Sequence, residues 1–301
     1  MPINSWLASP RETRGVLESY GLATKHHLGQ NFLVNDAIIG KILDLAELAD
    51  SDVVFEVGPG IGTLTVAMLP LAGAVVSVEA DRGLEMVLAE TCARDSERFA
   101  LVMGDALRVA PDALTDAVAA LGIEGVEPTP TKLVSNLPYQ VAATLVLRTF
   151  EQMPSVSRAV VMVQAEVADR MAAAPGSKAY GGYTAKLALY ARPTGRFEVG
   201  PGNFMPPPHV DSAVIRLERH PLSDPDTGTA LSAEQISWCS QVIDAAFAQR
   251  RKTIRNSMSS NGFDKAELDE AFAQSGIDPR ARAESLSPED FVRLAAALGW
   301  R

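Results

Sequence analysis

Val53-Val54-Phe55-Glu56-Val57-Gly58-Pro59-Gly60-Ile61-Gly62 reads as a buried strand that breaks into a glycine turn, and the turn opens a helix over residues 63–69. A strand this continuously apolar is covered on both faces, as in a parallel sheet, while the glycines let the backbone bend sharply and approach a ligand. Working outward, apolar strands recur at 74–78, 99–103, 132–135 and 159–163. They end in Glu79-Ala80-Asp81, Gly104-Asp105-Ala106 and, for the third, Asn136-Leu137-Pro138-Tyr139, which leads into a helix through residue 150. On the N-terminal side, Ile38, Ile39, Ile42, Leu43, Leu45 and Leu48 place one buried face on a helix over 35–49, capped by Asn35 or Asp36. Alternating strands and helices predict an α/β, Rossmann-like fold with its ligand site at the carboxyl ends of the strands.

Later stretches change character. Residues 184–190 and 210–217 alternate as antiparallel or edge strands around the stiff Phe204-Met205-Pro206-Pro207-Pro208, so the sheet is expected to end in a reversed hairpin. Residues 221–230 are a linker of turn formers, followed by helices near 233–248, 264–274 and 288–298. The expected domains are an N-terminal extension (1–22), a catalytic domain (23–220) and a small C-terminal all-helical domain (221–301).

The 301 residues carry a formal charge of −10, which argues against indiscriminate nucleic-acid coating. The acidic excess is unevenly spread. Gln249-Arg250-Arg251-Lys252-Thr253-Ile254-Arg255-Asn256 contains four positive residues and no acid, so Arg250, Arg251, Lys252 and Arg255 are assigned to RNA phosphates. No apolar run approaches the roughly 20 residues of a membrane span, and the N-terminus lacks a secretory pattern, so a cytoplasmic location is expected. Two cysteines and four histidines offer no disulfide framework and no metal-ligand spacing.

The turn after the first strand is not the G-x-G-x-x-G of a dinucleotide site, because its third glycine comes one position early. Glu56 puts a negative charge where a pyrophosphate would be repelled and a cationic amino acid or sulfonium favoured. Glu79 is placed to accept from ribose hydroxyls, and Asp105 from an adenine amine. Together they describe an adenosine without phosphates, S-adenosyl-L-methionine. Gln30 and Asn31, in Leu28-Gly29-Gln30-Asn31-Phe32-Leu33, can reach its methionine end as a lid, or the segment is a loop packed by Phe32 and Leu33.

Asn136-Leu137-Pro138-Tyr139 suits an unreactive amine. The Asn136 side-chain carbonyl and the Leu137 backbone carbonyl can accept both protons of an adenine N6, favouring a pyramidal nitrogen whose lone pair faces the methyl donor. Acceptor dipoles then match the positive charge that grows on nitrogen during transfer. Pro138 stiffens the turn, Tyr139 can stack on the base, and Phe204 is a second clamp or a core aromatic. Tyr180 lies in a glycine-rich stretch suited to a substrate lip.

These motifs resemble the ribosomal RNA adenine dimethyltransferase family, in its small-subunit 16S branch. The likeness runs from about residue 22 through Glu56 to Gly62, Val78-Glu79, Gly104-Asp105-Ala106, Asn136 to Tyr139, residues 163–170, Pro206 to Ser212 and Phe247 to Lys252. By that resemblance Asn31, Leu33, Gln30, Glu56, Gly58, Gly60, Glu79, Asp105 and Asn136 contact S-adenosyl-L-methionine, while Asn136, Leu137, Pro138, Tyr139 and Phe204 handle the adenine. It further implies N6,N6-dimethylation of two adjacent adenines near the 3′ end of 16S rRNA, in an immature 30S subunit, by a monomer whose helical domain docks on rRNA. His26-His27 and Ala165 depart from the family, which commonly has lysines there. A 23S rRNA methyltransferase of the macrolide-resistance type and a non-catalytic nucleic-acid-binding relative remain alternatives.

Overall fold

In the computed structural model, residues 3–22 and 31–300 are described. The strands are β1 (Phe32–Leu33), β2 (Val53–Val57), β3 (Ala74–Glu79), β4 (Phe99–Met103), β5 (Lys132–Asn136), β6 (Arg158–Gln164), β7 (Ala191–Val199), β8 (Phe204–Met205) and β9 (Ser212–Arg219). Seven of them form one sheet in the order β4-β3-β2-β5-β6-β9-β7, and β1 pairs with β8. The pairs β4-β3, β3-β2, β2-β5 and β5-β6 are parallel. β9 runs antiparallel to β6, from Arg158 opposite Glu218 to Gln164 opposite Ser212. The α/β, Rossmann-like sheet read from the sequence is present, and its last strands do reverse.

One expected strand is a helix. Residues 184–190 lie largely in the helix Gly182–Ala188. Ala185 and Leu189, four apart and fully buried, meet the helical core that contains Val242 and Ile243, a helical rather than an alternating period. The edge strand is instead β7, which contains Pro193 and Gly195; an edge position tolerates a residue without an N–H to donate.

The chain divides into two compact units, Met1–Ala168 with Pro193–Glu218, and Asp169–Arg192 with Arg219–Arg301. The helical unit therefore takes Asp169–Arg192 from the middle of the chain, as well as the C-terminal part expected from residue 221. Tyr180 belongs to its core, 3% exposed, rather than to a substrate lip. Trp238 donates its indole N–H to the Ala295 carbonyl at 3.0 Å, and capping boxes at Ser232/Gln235 and Ser287/Asp290 start its two flanking helices.

Residues 3–22 are part of the first unit's core. Leu7 (0% exposed) and Leu17 pack into the cluster that holds Ile39, Ile42, Val54 and Val160. Full burial of one such leucine is worth about 1.5–3 kcal/mol. Asp36 fastens the segment by accepting from the backbone N–H of Asn4 at 3.1 Å and of Ser5 at 2.8 Å, and Asn35 caps the helix Asp36–Ala46. Near the opposite ends of the strands from the site, Glu47 and Glu218 bridge Arg158 and Arg216 at 2.6–2.8 Å. Lys132 pairs with Asp52 at 2.7 Å. These ties fix the register of β5, β6 and β9 below the site.

Candidate active site

β2 has β3 and β4 on one side, β5 and β6 on the other, so the order of connection reverses between β2 and β5. The crevice past the carboxyl ends at such a reversal is where open α/β sheets bind ligands. Here the two informative turns meet. Val54 pairs with Lys132 and Phe55 with Leu133, and two residues further Ser135 Oγ donates to the Val57 carbonyl at 2.6 Å and accepts from its N–H at 3.3 Å. Gly58 then takes φ +67°, and a Cβ there would lie 3.3 Å from Pro138 Cγ. At Gly60, φ +62°, a Cβ would meet the Phe32 ring at 3.0 Å. The left-handed backbone and the close approach of the neighbouring turns both require glycine at these positions.

A pocket of about 230 Å³ opens there, lined by Asn31, Phe32, Leu33, Glu56, Gly58, Gly60, Glu79, Asp105, Asn136, Leu137, Pro138 and Tyr139 among others. Glu56 is 1% exposed, and one of its oxygens accepts from Thr65 Oγ and from Ser77 Oγ, both at 2.7 Å. Burial pushes its carboxyl up to about 7, against the smaller pull of those two hydroxyls. Glu79 is 7% exposed and ties the turn together, accepting from Asp81 N–H at 2.8 Å and Gly60 N–H at 3.3 Å. Desolvation raises its pKa too, with the backbone donors opposing. Asp105 sits at the rim, half exposed, accepting from Leu107 N–H at 3.0 Å with Arg108 3.5 Å away.

On the β5 side, Asn136 donates its amide N–H to the Asn31 backbone carbonyl at 3.3 Å, which orients the side chain and leaves Oδ1 as the acceptor. Leu137 N–H is spent on the Met162 carbonyl at 3.0 Å, locking its peptide at the strand end. Tyr139 Oη and Ser212 Oγ are 2.6 Å apart, so the phenol is held by β9; burial raises its pKa and the Ser212 bond works against that rise. Phe204 does not line the pocket. It is 3% exposed in the core beside Leu33, with which it pairs across β1 and β8, so its assignment as a base clamp rests on the sequence resemblance alone. Gln30, His26 and His27 lie outside the described residues.

The basic run divides. Arg251 and Lys252 are exposed, and Arg250, 71% exposed, sits 3.8 Å from Glu284 and donates to the Lys178 carbonyl at 3.4 Å. Arg255 differs from the other three: its guanidinium donates to Asp269 at 2.5 and 2.6 Å, so it already has a partner within the helical unit. The sequence reading also missed Ser135 and Ser212, the hydroxyls that hold the two site turns. Their signal is a polar residue inside an otherwise apolar strand, which must find a partner when buried.

Among the described residues no helix is long and apolar enough to cross a membrane, and no group of three or more His, Cys, Asp or Glu could hold a metal ion.

A family model described as ribosomal RNA adenine dimethylase matches residues 21–299. The chain is 40% identical over 293 residues to ribosomal RNA small subunit methyltransferase A of Thermobifida fusca, covering 96% of this chain and 95% of that one. To the protein of the same name from Streptomyces coelicolor it is 39% identical over 298 residues, with 98% of both covered. Among solved structures, a dimethyladenosine transferase from Plasmodium falciparum superimposes with TM-score 0.70 at 24% identity, over 87% of this chain and 95% of that one. The 23S rRNA methyltransferase ErmE does so with TM-score 0.63 at 24% identity, over 89% and 99%. These two establish the fold. With a near-complete family match behind a pocket that joins the glycine turn to the Asn-Leu-Pro-Tyr turn, the chain belongs to the ribosomal RNA adenine dimethylase family and is an S-adenosylmethionine-dependent methyltransferase.

Proposed function

We propose that this protein transfers methyl groups from S-adenosyl-L-methionine to N6 of two adjacent adenines near the 3′ end of 16S rRNA, in immature 30S subunits in the cytoplasm, giving N6,N6-dimethyladenosine. The observation that carries the reading is the meeting of Glu56, Glu79 and the glycine turn with Asn136 and Tyr139 in one pocket. The small-subunit names of the 40%- and 39%-identical relatives favour 16S over 23S rRNA as substrate.

The residues fit the cofactor, since the glycine turn leaves the approach to the pocket clear of side chains and two buried carboxylates flank it. When bound, S-adenosyl-L-methionine supplies an electrophilic methyl on a sulfonium. Glu79 would hold the ribose hydroxyls, Asp105 the adenine amine of the cofactor, and Glu56 the positive charge of the amino-acid end; Asn31, Leu33 and Gln30 would close on that end. Asn136 Oδ1 and the Leu137 carbonyl accept the target N6 protons, turning the nitrogen lone pair toward the donor. Tyr139 stacks on the base, in an orientation set by Ser212. After transfer the cationic amine sheds its proton to water, and the same acceptors serve the second methyl.

Incubating the protein and labelled S-adenosyl-L-methionine with 30S particles that lack the modification, followed by nucleoside analysis, should yield N6,N6-dimethyladenosine in 16S rRNA. Label in 23S rRNA of 50S particles, with none in 16S, would assign the protein to the other substrate. Label in neither, with the cofactor bound, would mark a non-catalytic RNA-binding protein.

Two quantitative outcomes accompany this reading. A cation placed beside Glu56 favours its carboxylate, so binding should release a proton near neutrality and weaken as pH falls below about 7, by up to about tenfold per unit. Calorimetry in buffers of different ionisation heat measures the release, and Glu56→Gln should abolish it. In the unliganded protein the sign runs the other way. The folded pKa is raised to about 7 from 4.5, so this group's contribution to stability declines as pH climbs between those values and is constant above them.

For RNA, Arg251→Ala with Lys252→Ala should weaken 30S binding and reduce the slope of log affinity against log salt by about 1 to 2. Arg255→Ala, already paired with Asp269, should leave that slope unchanged; equal slope losses for both would contradict the division.

A further inference from the structure

Three hydroxyls stand on residues that follow the glycine turn or bond Glu56, and two of them, on Thr65 and Ser77, are spent on one oxygen of Glu56 at 2.7 Å. The third is different. Thr63 lines the pocket directly after the glycine turn, is only 5% exposed, and its Oγ has no hydrogen-bond partner. A nine-tenths buried hydroxyl without a partner is costly and uncommon, and is the expected state of a group whose partner arrives with a ligand.

The place of that partner follows from the rest of the pocket. Glu79 and Asp105 stand at the ends of β3 and β4 and address the nucleoside, whereas Asn136 stands at the end of β5 and addresses the methyl acceptor. What is left between them, at the glycine turn and beside Glu56, is room for the amino-acid end of the donor. That end carries an ammonium and a carboxylate, and a hydroxyl can donate to one or accept from the other.

We propose that Thr63 is a cofactor-binding residue whose hydroxyl bonds the amino-acid end of S-adenosyl-L-methionine and of its demethylated product. The proposal rests on the cofactor reading above and adds a contact outside the residues that the sequence motifs assign. Leucine, valine or alanine at 63 would fill the same corner of the pocket without supplying this bond.

The test uses Thr63→Val, which keeps the side-chain shape, and Thr63→Ser, which keeps the hydroxyl. Calorimetric titration with S-adenosylhomocysteine should show about tenfold weaker binding for Thr63→Val and near-normal binding for Thr63→Ser. Titration with 5′-methylthioadenosine, which shares the nucleoside but lacks the amino-acid end, should give the same affinity for all three proteins. A thermal melt of the unliganded Thr63→Val protein should be unchanged or raised, because the substitution removes an unpaired polar group. S-adenosylhomocysteine binding that is equal in Thr63→Val and wild type overturns the inference, as does a parallel loss for 5′-methylthioadenosine, which would mark a distorted pocket. Wild-type protein that binds neither nucleoside overturns the cofactor reading, and this inference with it.

Discussion

Asn136→Ala should slow the single-turnover methyl-transfer step by about one to two orders of magnitude at saturating cofactor and RNA. In the proposed mechanism the side chain contributes an acceptor aimed at an amine that becomes cationic only as the new bond forms, so its worth is concentrated in the transition state. A charge-assisted hydrogen bond is worth about 1.5–3 kcal/mol, which converts to roughly that range of rate. Alanine also removes the 3.3 Å bond to the Asn31 carbonyl that orients the amide. Asn136→Asp keeps an acceptor but faces that carbonyl with a second acceptor, so it should not restore the rate. Quench-flow with preformed complexes isolates the step from product release. A rate constant within threefold of wild type would show that the Asn136 acceptor does not act on the amine.

Glu79→Ala should weaken S-adenosylhomocysteine binding by about 30- to 100-fold. Two losses combine. On the proposed cofactor placement the ribose loses its carboxylate acceptor, and the turn loses the bonds that Glu79 accepts from Gly60 N–H at 3.3 Å and Asp81 N–H at 2.8 Å. Together they amount to about 2–3 kcal/mol, given that bonds to charged groups each contribute about 1.5–3 and that neighbouring losses are not additive. Glu79→Gln should rescue little, because one end of its amide would present N–H groups to a backbone N–H that needs an acceptor. Equilibrium titration measures the effect, and a loss below threefold would remove Glu79 from the cofactor contacts.

The parallel sheet was legible because β2, β3, β5 and β6 are apolar runs separated by helix-length segments, a pattern set by burial on both faces. The site was legible for a related reason. Glu56, Glu79 and Asn136 are polar residues within or at the ends of those runs, where only a specific partner offsets the cost of burial. Reading failed where a local pattern had two solutions. Thr184-Ala185-Lys186-Leu187 alternates like a strand, yet Ala185 and Leu189 share a helix face, and only the helical core they enter decides between the two. The pairing of Arg255 was not legible beside its three basic neighbours because its partner, Asp269, lies 14 residues further on and meets it only through the packing of two helices. Residues 1–22 read as an extension because nothing local shows that Leu7 and Leu17 complete a core built elsewhere.

The central claim is that one pocket at the β2–β5 reversal holds the methyl donor and the amine acceptor together. Its most direct test is a bisubstrate analogue in which the N6 nitrogen of an adenosine is joined by a short linker to the position of the donor sulfur in an S-adenosylhomocysteine framework. The account predicts that the analogue binds more tightly than S-adenosylhomocysteine, and that Glu79→Ala and Asn136→Ala each weaken it by at least about tenfold. Affinity equal to that of S-adenosylhomocysteine, sensitive to Glu79→Ala but indifferent to Asn136→Ala, would place the target amine somewhere else.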